Sequence, residues 1–269
     1  MTDKKELIER MKRFASVLKR NARPVADFFR RESVRAKWRK GREFCSKATG
    51  IVVSFTKQQP KTAAFIYVCL FCAFSIGFLD EPFARYRLKS SVAGFWKFAA
   101  DIAPSGWWFL ILITLWLIYM AVAGLSLTTD VFERNLVKAR AVLFILLTLS
   151  LSSLVTLFLN VLTGRYIPEF LDSMQLYGFS AMRFRVSETS FPSFDVQSVW
   201  AVAVAASRFL PRAKKALLGV ACVITAASIL TARCFISDAV MGTFIGIVMY
   251  YAASWIVSEK RENFPLISL

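Results

Sequence analysis

The apolar run WWFLILITLWLIYMAVAGLSL, at residues 107–127, contains no charged side chain. At a rise of 1.5 Å per residue, roughly 20 such residues cross the hydrocarbon core of a bilayer as an α-helix. Backbone polar groups inside lipid must be hydrogen-bonded within the protein, which favours a helix over an open strand. This stretch therefore predicts an α-helical membrane protein.

Further apolar stretches repeat this pattern along the 269 residues, 56% of which are hydrophobic. We predict six spans, at about 63–79, 107–127, 141–162, 197–210, 216–232 and 238–257. The predicted fold class is all-α, a polytopic bundle of six transmembrane helices. Its predicted organisation is a basic cytoplasmic arm at 1–61, a membrane domain at 62–258 and a short cytoplasmic tail at 259–269.

Basic residues mark alternate connections between the predicted spans. Residues 1–61 contain 18 Lys and Arg, and the turns at 129–140 and 211–215 are also basic. Because Lys and Arg are retained on the cytoplasmic side, we expect both termini to be cytoplasmic. The loops at 80–106 and 163–196 are then expected on the opposite side.

The N-terminal arm has the pattern of an amphipathic helix with a strong positive charge. Apolar residues recur at Leu7, Met11, Phe14 and Leu18, and residues 1–61 carry 18 basic against 6 acidic side chains, a net charge of +12. Polybasic segments beside a membrane gain about 1 kcal/mol per Lys or Arg from anionic lipid. We expect the arm to bind anionic lipid of the inner leaflet, with a protein partner as the alternative. No nucleic-acid partner is expected, because no folded reader module is present.

Three segments carry a resemblance to a known family. The stretch TSFPSFDVQS at 189–198 resembles the Ser-Phe-Pro-Ser-Gly-His motif of the type 2 phosphatidic acid phosphatase family, which includes bacterial lipid phosphatases and is related to vanadium haloperoxidases. NVLTGRYIP at 160–168 and ASILTARCFISD at 227–238 resemble its first and third motifs, in the family's order and spacing. The resemblance implies a bacterial inner-membrane protein with this site on the periplasmic side.

The reacting positions of the family are replaced in this chain. The resemblance implies that the first-motif Lys and Arg and the third-motif Arg bind phosphate, that the second-motif His is the acid, and that the third-motif His is the nucleophile. In that order, the residues standing at these five positions are Asn160, Ile167, Ser228, Asp195 and Cys234. The retained family residues are Gly164, Arg165, Pro168, Pro192, Ser193 and Asp238.

These replacements remove the chemistry of phosphoryl transfer. Preorganised positive charge must meet the phosphoryl oxygens, and Asn160, Ile167 and Ser228 supply none. Asp195 adds negative charge, and the sequence contains no His. We therefore predict no catalytic residues, and a catalytically inactive accessory, scaffold or lipid-binding subunit of a membrane complex. Its expected partners are membrane lipids and another protein of that complex.

Two other functions remain open. One is a phosphatase acting on phosphatidic acid or an isoprenyl diphosphate through relocated residues. The candidate ligand-binding residues are then Arg165, Arg183, Arg185 and Arg233, with Cys234 as the nucleophile. The other is a transporter component, which the scarcity of charges within the spans disfavours. We expect no metal and no cofactor, because zinc and triad motifs require His.

Two further expectations concern carboxylates and caps. A carboxylate at the edge of a span is costly unless it is paired or in contact with water, so we predict that Asp238 forms an ion pair, with Arg233 as the local candidate partner, or caps a helix. Ser193 or Asp195 is expected to accept hydrogen bonds from free backbone N–H groups at the start of the fourth span.

Overall fold

The structure of the chain, a computed structural model, describes residues 46, 49–50 and 52–263, with the side chains of 186 and 259–263 excepted. The chain divides into two compact units, Met1–Phe65 and Ile66–Leu269. Most of the predicted arm at 1–61 lies outside the described residues, as do residues 264–269 of the predicted tail. Within the first unit, residues 52–58 are helical.

The chain from Pro60 onward is helical with irregular connections. Two 3₁₀ turns, Val186–Glu188 and Pro211–Ala213, interrupt the connections, and the described part of the chain contains isolated bridges but no strand. The predicted all-α class is confirmed. The helices are α1 (Pro60–Phe78), α2 (Asp80–Leu88), α3 (Gly94–Asp101), α4 (Ser105–Gly124), α5 (Thr129–Thr163), α6 (Pro168–Ser173), α7 (Phe194–Phe209), α8 (Lys214–Leu230) and α9 (Ile236–Asn263).

Five helical segments are long and apolar enough to cross a membrane. They are α1, α4, α5, Pro211–Leu230 and Ile236–Ser258. Large apolar side chains such as Leu110 and Leu154 are more than half exposed on these helices, as lipid-facing side chains are. The protein is thus a multi-pass membrane protein. The predicted span at 197–210 corresponds to α7, whose 16 residues are fewer than the roughly 20 that cross a hydrocarbon core, so the sixth span stays a prediction.

The predicted connection at 129–140 is wrong. Residues 129–140 form the first turns of α5, which runs unbroken for 35 residues. At 1.5 Å per residue, α5 is about 52 Å long, well beyond a hydrocarbon core of about 30 Å. The basic side chains Arg134, Lys138 and Arg140 therefore lie on a helical extension and not on a turn.

The short helix α7 occupies the centre of the bundle, in contact with α5, α8 and α9. Its buried side chains include Ala201, Ala203 and Ala205, which permit close approach of neighbouring helices. On α9, a Cβ added at Gly242 would lie 2.8 Å from the Ser193 carbonyl oxygen. Since that distance is too short for carbon, α9 packs directly against the backbone of α7.

The end of α5 turns the chain toward the candidate site. Gly164 adopts φ 58°, and a Cβ there would lie 1.8 Å from the Ser180 carbonyl oxygen. Only glycine fits this left-handed, crowded position. The following residues form isolated bridges, Arg165 with Phe179 and Tyr166 with Thr189. These bridges hold the loop between α6 and α7 against the end of α5.

Candidate functional site

A cleft of about 480 Å³ lies where α7 begins and α8 ends. Its walls include residues of all three motif segments, among them Ile167, Ser190, Ser193, Asp195 and Cys234. The loop after α5, the start of α7 and the loop between α8 and α9 therefore converge, as the resemblance implies. This cleft is the candidate site.

Three of the five replaced positions face the cleft and two do not. Ile167, Asp195 and Cys234 line it, whereas Asn160 and Ser228 are fully buried and do not line it. The Ser228 hydroxyl donates to the Ile224 carbonyl oxygen at 3.0 Å, within its own helix. The structure thus brings three of these positions together around one space.

Asn160 is bound to the protein backbone. Its Nδ2 donates to the Thr156 carbonyl oxygen at 3.0 Å and to the Pro192 carbonyl oxygen at 2.8 Å. The second bond joins the C-terminal turns of α5 to the segment that precedes α7. Asn160 therefore links the first and second motif segments through a buried hydrogen bond.

Arg165 is fully buried and lies outside the cleft. Its Nη2 donates to Asp80 Oδ2 at 2.8 Å and to Tyr177 Oη at 3.1 Å, and its Nη1 pairs with Asp238. The guanidinium lies 4.2 Å from the centroid of the Phe235 ring. Buried charges are tolerated when they are paired and hydrogen-bonded, and here one cation meets two carboxylates. This candidate ligand-binding residue is committed to an internal ion cluster.

The predicted pairing of Asp238 with Arg233 is wrong, because Asp238 pairs with Arg165. The other carboxylate oxygen, Asp238 Oδ2, accepts from the Phe235 backbone N–H at 3.0 Å, three residues earlier. Asp238 thus joins the loop containing Arg165 to the start of α9. Arg165 is farther from Asp238 in the chain than Arg233 is. The fold nevertheless places Arg165 next to Asp238, and these two side chains form the ion pair.

Asp80 is a member of this cluster that the sequence analysis missed. It is 1% exposed, accepts from Ser75 Oγ at 2.7 Å, and is also bonded to Ser237. The available signal was a carboxylate directly after an apolar span, in the sequence Leu79–Asp80. The same argument that singled out Asp238 applies to this position.

Arg233 is the candidate arginine that lines the cleft. Its Nη1 donates to the Ala100 carbonyl oxygen at 2.8 Å, and its Nη2 pairs with Asp101. Both acceptors lie at the end of α3. The positive charge at the cleft wall is therefore already opposed by a carboxylate.

Arg183 and Arg185 lie outside the cleft lining and pair with Glu188. The hydrogen bonds from Arg185 and Arg183 hold the pKa of Glu188 below its usual value. The Arg183 guanidinium also lies 4.6 Å from the centroid of the Tyr166 ring. The structure does not bring the four candidate arginines together around one anion.

Neither Cys234 nor Ser193 has the arrangement of a reacting group. Burial, reinforced by the nearby Asp238 carboxylate, raises the pKa of the Cys234 thiol well above its usual value. A nucleophilic cysteine needs the reverse shift. The Ser193 hydroxyl accepts from the Val196 backbone N–H at 3.4 Å and caps α7, which confirms the expected cap.

The acidic side chains in and around the cleft are dispersed among separate contacts. Asp238 belongs to the Arg165 cluster, Glu188 to an arginine pair, and Asp195 to the cleft wall. Within the part of the chain that the structure describes, no group of three or more His, Cys, Asp or Glu side chains is placed to hold a metal ion.

Comparison with known proteins supports this arrangement. Residues 141–262 match the sequence profile of the PAP2 superfamily, whose name denotes type 2 phosphatidic acid phosphatases. The fold is similar to the crystal structure of a transmembrane PAP2 type phosphatidylglycerolphosphate phosphatase from Bacillus subtilis, with a TM-score of 0.53 and 15% identity. That match covers 77% of this chain and 99% of the Bacillus chain. No curated protein matches significantly.

The resemblance predicted from the motif segments is therefore confirmed by the match of residues 141–262 to the PAP2 superfamily. Of the residues that line the cleft, all but Leu88 lie within the matched region. At this level of identity, the likeness to the Bacillus enzyme establishes the membrane fold.

Proposed function

We propose that the protein is a catalytically inactive member of the PAP2 superfamily, acting as an accessory or lipid-binding subunit of a bacterial inner-membrane complex. The observation that carries this proposal is the lining of the cleft. Ile167, Asp195 and Cys234 stand there at positions where the family has an arginine and two histidines. An alkyl chain, a carboxylate and a buried thiol replace the groups that hold and transfer a phosphoryl group.

The charge of the cleft also opposes phosphate binding. Stabilising a phosphoryl group requires preorganised donors and positive charge at its oxygens. Arg233 is engaged by Asp101, and the cleft wall also carries Glu169 and Asp195. Negative charge in the same cleft disfavours a phosphate dianion.

Within the described residues, the lining of the cleft supplies no activated nucleophile with an acid beside it. The sequence has no His, and the pKa of Cys234 is raised by burial. Removing all members of a catalytic unit costs about as much rate as the worst single loss, about 10⁶-fold in one protease. Hydrolysis through what remains would be negligible.

The orientation that we propose puts the cleft on the periplasmic side and both termini in the cytoplasm. Arg134, Lys138 and Arg140 lie near the start of α5, whereas the cleft lies at the end of α5. Basic residues near span ends favour the cytoplasmic side. The basic arm then meets anionic lipid of the inner leaflet, and a protein partner completes the complex.

Phosphate release from purified protein tests this function. The substrates are phosphatidic acid, phosphatidylglycerolphosphate and an isoprenyl diphosphate, each presented in the same detergent. We expect release equal to the protein-free blank, for both the parent protein and Cys234→Ala. Turnover on the ordinary enzyme scale of about 1 s⁻¹ or more would contradict the proposal. If Cys234→Ala abolished that turnover, the relocated-residue phosphatase would replace it.

Extraction in a mild detergent tests the accessory role separately. A stoichiometric protein that copurifies with the chain through size-exclusion chromatography is the expected result. A chain that elutes alone, at every detergent concentration that preserves its fold, would argue against a stable complex.

A further inference from the structure

The unpaired charge in the cleft is negative. Asp195 is half-buried at the cleft wall and forms no hydrogen bond or ion pair with another described residue. Glu169 is exposed at the same cleft and is likewise unpaired within the described part of the chain. Arg233, the cation of the wall, already has Asp101 as its partner. A ligand of this cleft would therefore gain most by supplying positive charge.

The hydroxyl group of Ser190 adds a further hydrogen-bond acceptor to the cleft wall. Ser190 Oγ donates its hydrogen to the Tyr166 carbonyl oxygen at 3.0 Å, which leaves the Ser190 oxygen as an acceptor. Together with the carboxylate oxygens of Asp195 and Glu169, this oxygen forms a set of acceptors around one space. An ammonium group has three donors and no acceptor, which matches that set.

A second cavity of about 240 Å³ lies beside the cleft, and the two partners of one ion pair each line one of the two spaces. Asp101 lines the second cavity and pairs with Arg233, which lines the first. The remaining walls are the apolar side chains of Ile102, Trp107, Trp108 and Ile111. Trp107 is 58% exposed and Ile111 is 53% exposed on α4, a candidate span. This cavity therefore lies beside a surface that lipid contacts.

We propose that these two cavities bind a lipid whose head group carries a primary ammonium. The ammonium lies between Asp195 and Glu169 in the cleft, and the lipid chain lies against Trp107 and Ile111. This inference rests on the proposed function, because a cleft that hydrolysed lipid phosphate would hold a phosphate where the ammonium is placed. It names the ligand class of an inactive member of the family.

Lipid retention by the full-length chain tests the proposal. The protein is exchanged into detergent containing phosphatidylethanolamine, phosphatidylcholine, phosphatidylglycerol or phosphatidic acid with identical chains, and bound lipid is counted by native mass spectrometry. A hydrogen bond to a charged group contributes about 1.5–3 kcal/mol, so we expect phosphatidylethanolamine to bind roughly ten-fold or more tightly than phosphatidic acid. Phosphatidylcholine, which lacks N–H donors, should be intermediate.

Matched variants assign the preference to the cleft. Asp195→Asn and Glu169→Gln should each lower phosphatidylethanolamine retention several-fold, and Glu169→Gln changes an exposed side chain that does not support the fold. Asp172→Asn is the control, since Asp172 is exposed on the same helix α6 and lies outside the cleft lining. Trp107→Ala should weaken retention of all four lipids without changing their order.

Several results would overturn the proposal. They are tighter binding of phosphatidic acid than of phosphatidylethanolamine, an unchanged preference in both Asp195→Asn and Glu169→Gln, or equal binding of water-soluble glycerophosphoethanolamine. Equal binding of glycerophosphoethanolamine would show that no lipid chain occupies the second cavity. Phosphate release in the separate turnover assay would instead contradict the inactive function, so the two failures are distinguishable.

Discussion

Arg165 Nη2 donates to Asp80 Oδ2 at 2.8 Å, and both side chains are completely buried although 85 residues separate them. Asp238 closes the cluster on the other nitrogen of the same guanidinium. One buried cation thus joins the start of α2, the loop after α5 and the start of α9. Asp238, a retained third-motif residue, therefore pairs with an arginine of the first motif segment.

Arg165→Met should destabilise the protein severely. Loss of the guanidinium leaves Asp80 and Asp238 buried without a cation, and breaking a buried pair in this way costs about 3–5 kcal/mol. The free energy of unfolding in detergent, from urea titration, measures the loss. The control is Arg185→Gln, because the Arg185 side chain is 80% exposed and its change should stay within about 0.5 kcal/mol.

The triple variant Arg165→Met, Asp80→Asn, Asp238→Asn should recover part of that loss. Neutral amides have a smaller cost of burial than unpaired carboxylates. If the single variant unfolded at the parent's urea concentration, the cluster would have no structural role.

Gly246→Ala should separate α9 from α7. The added Cβ would lie 2.8 Å from the Gln197 carbonyl oxygen and 2.9 Å from the Ala201 backbone nitrogen, neither of which can rotate away. Overpacking of this kind costs about 1–3 kcal/mol, measured as a lower melting temperature. Gly219→Ala is the matched control in α8, where no atom lies within 4 Å of the new Cβ. That variant should be as stable as the parent or slightly more stable, and a lower stability of both variants would count against the close contact.

Cys234 should resist alkylation at neutral pH. Its raised pKa means that the reactive thiolate forms only at a pH above the usual range for cysteine. Iodoacetamide labelling followed by peptide mass spectrometry should show slow modification at pH 7 and a rate still rising at pH 9. Ser187→Cys provides an exposed thiol on the same cleft for comparison. Equal labelling of both thiols at pH 7 would show that Cys234 is activated, which would favour the phosphatase alternative.

The loop before α7 should loosen in acid. Glu188 has a lowered pKa because Arg185 and Arg183 donate to it, so its stabilising effect is present above the unfolded pKa and is lost as pH falls through the folded pKa. Amide hydrogen exchange over residues 183–188 should become faster, after correction for intrinsic rates, as pH falls below about 4. Glu188→Gln should remove this pH dependence. A persistent dependence in that variant would assign it to another group.

The sequence was sufficient to predict the class of fold and the convergence of three motif segments. Apolar run length predicts membrane helices because lipid imposes it, and the order of the motif remnants around Gly164, Ser193 and Asp238 reflects a shared fold. The partner of Asp238 was not predictable from local spacing. Arg233 is nearer in the chain, but only the folded bundle brings Arg165 and Asp80 to the same place.

The predicted connection at 129–140 failed for a different reason. A basic segment beside an apolar one looks the same in sequence whether the chain turns or continues as a helix beyond the membrane. Thr129–Thr163 continues because no Gly or Pro interrupts it before Gly164. A basic segment beside an apolar run therefore does not indicate where a helix starts.

The central position of α7 has a consequence for determining topology. The helix begins at the cleft, and α8 returns to the cleft after the connection at 210–213, yet α7 is only about 24 Å long. Because protein surrounds α7, its length need not match the thickness of the hydrocarbon core as the lengths of its neighbours must. Under the six-span prediction, counting only the five long apolar helices inverts the direction assigned to α8 and α9. Reporter fusions placed at 210–213 and after α9 test that prediction: with a cytoplasmic N-terminus, both report the cytoplasm if α7 is a span, and both report the opposite side of the membrane if it is not.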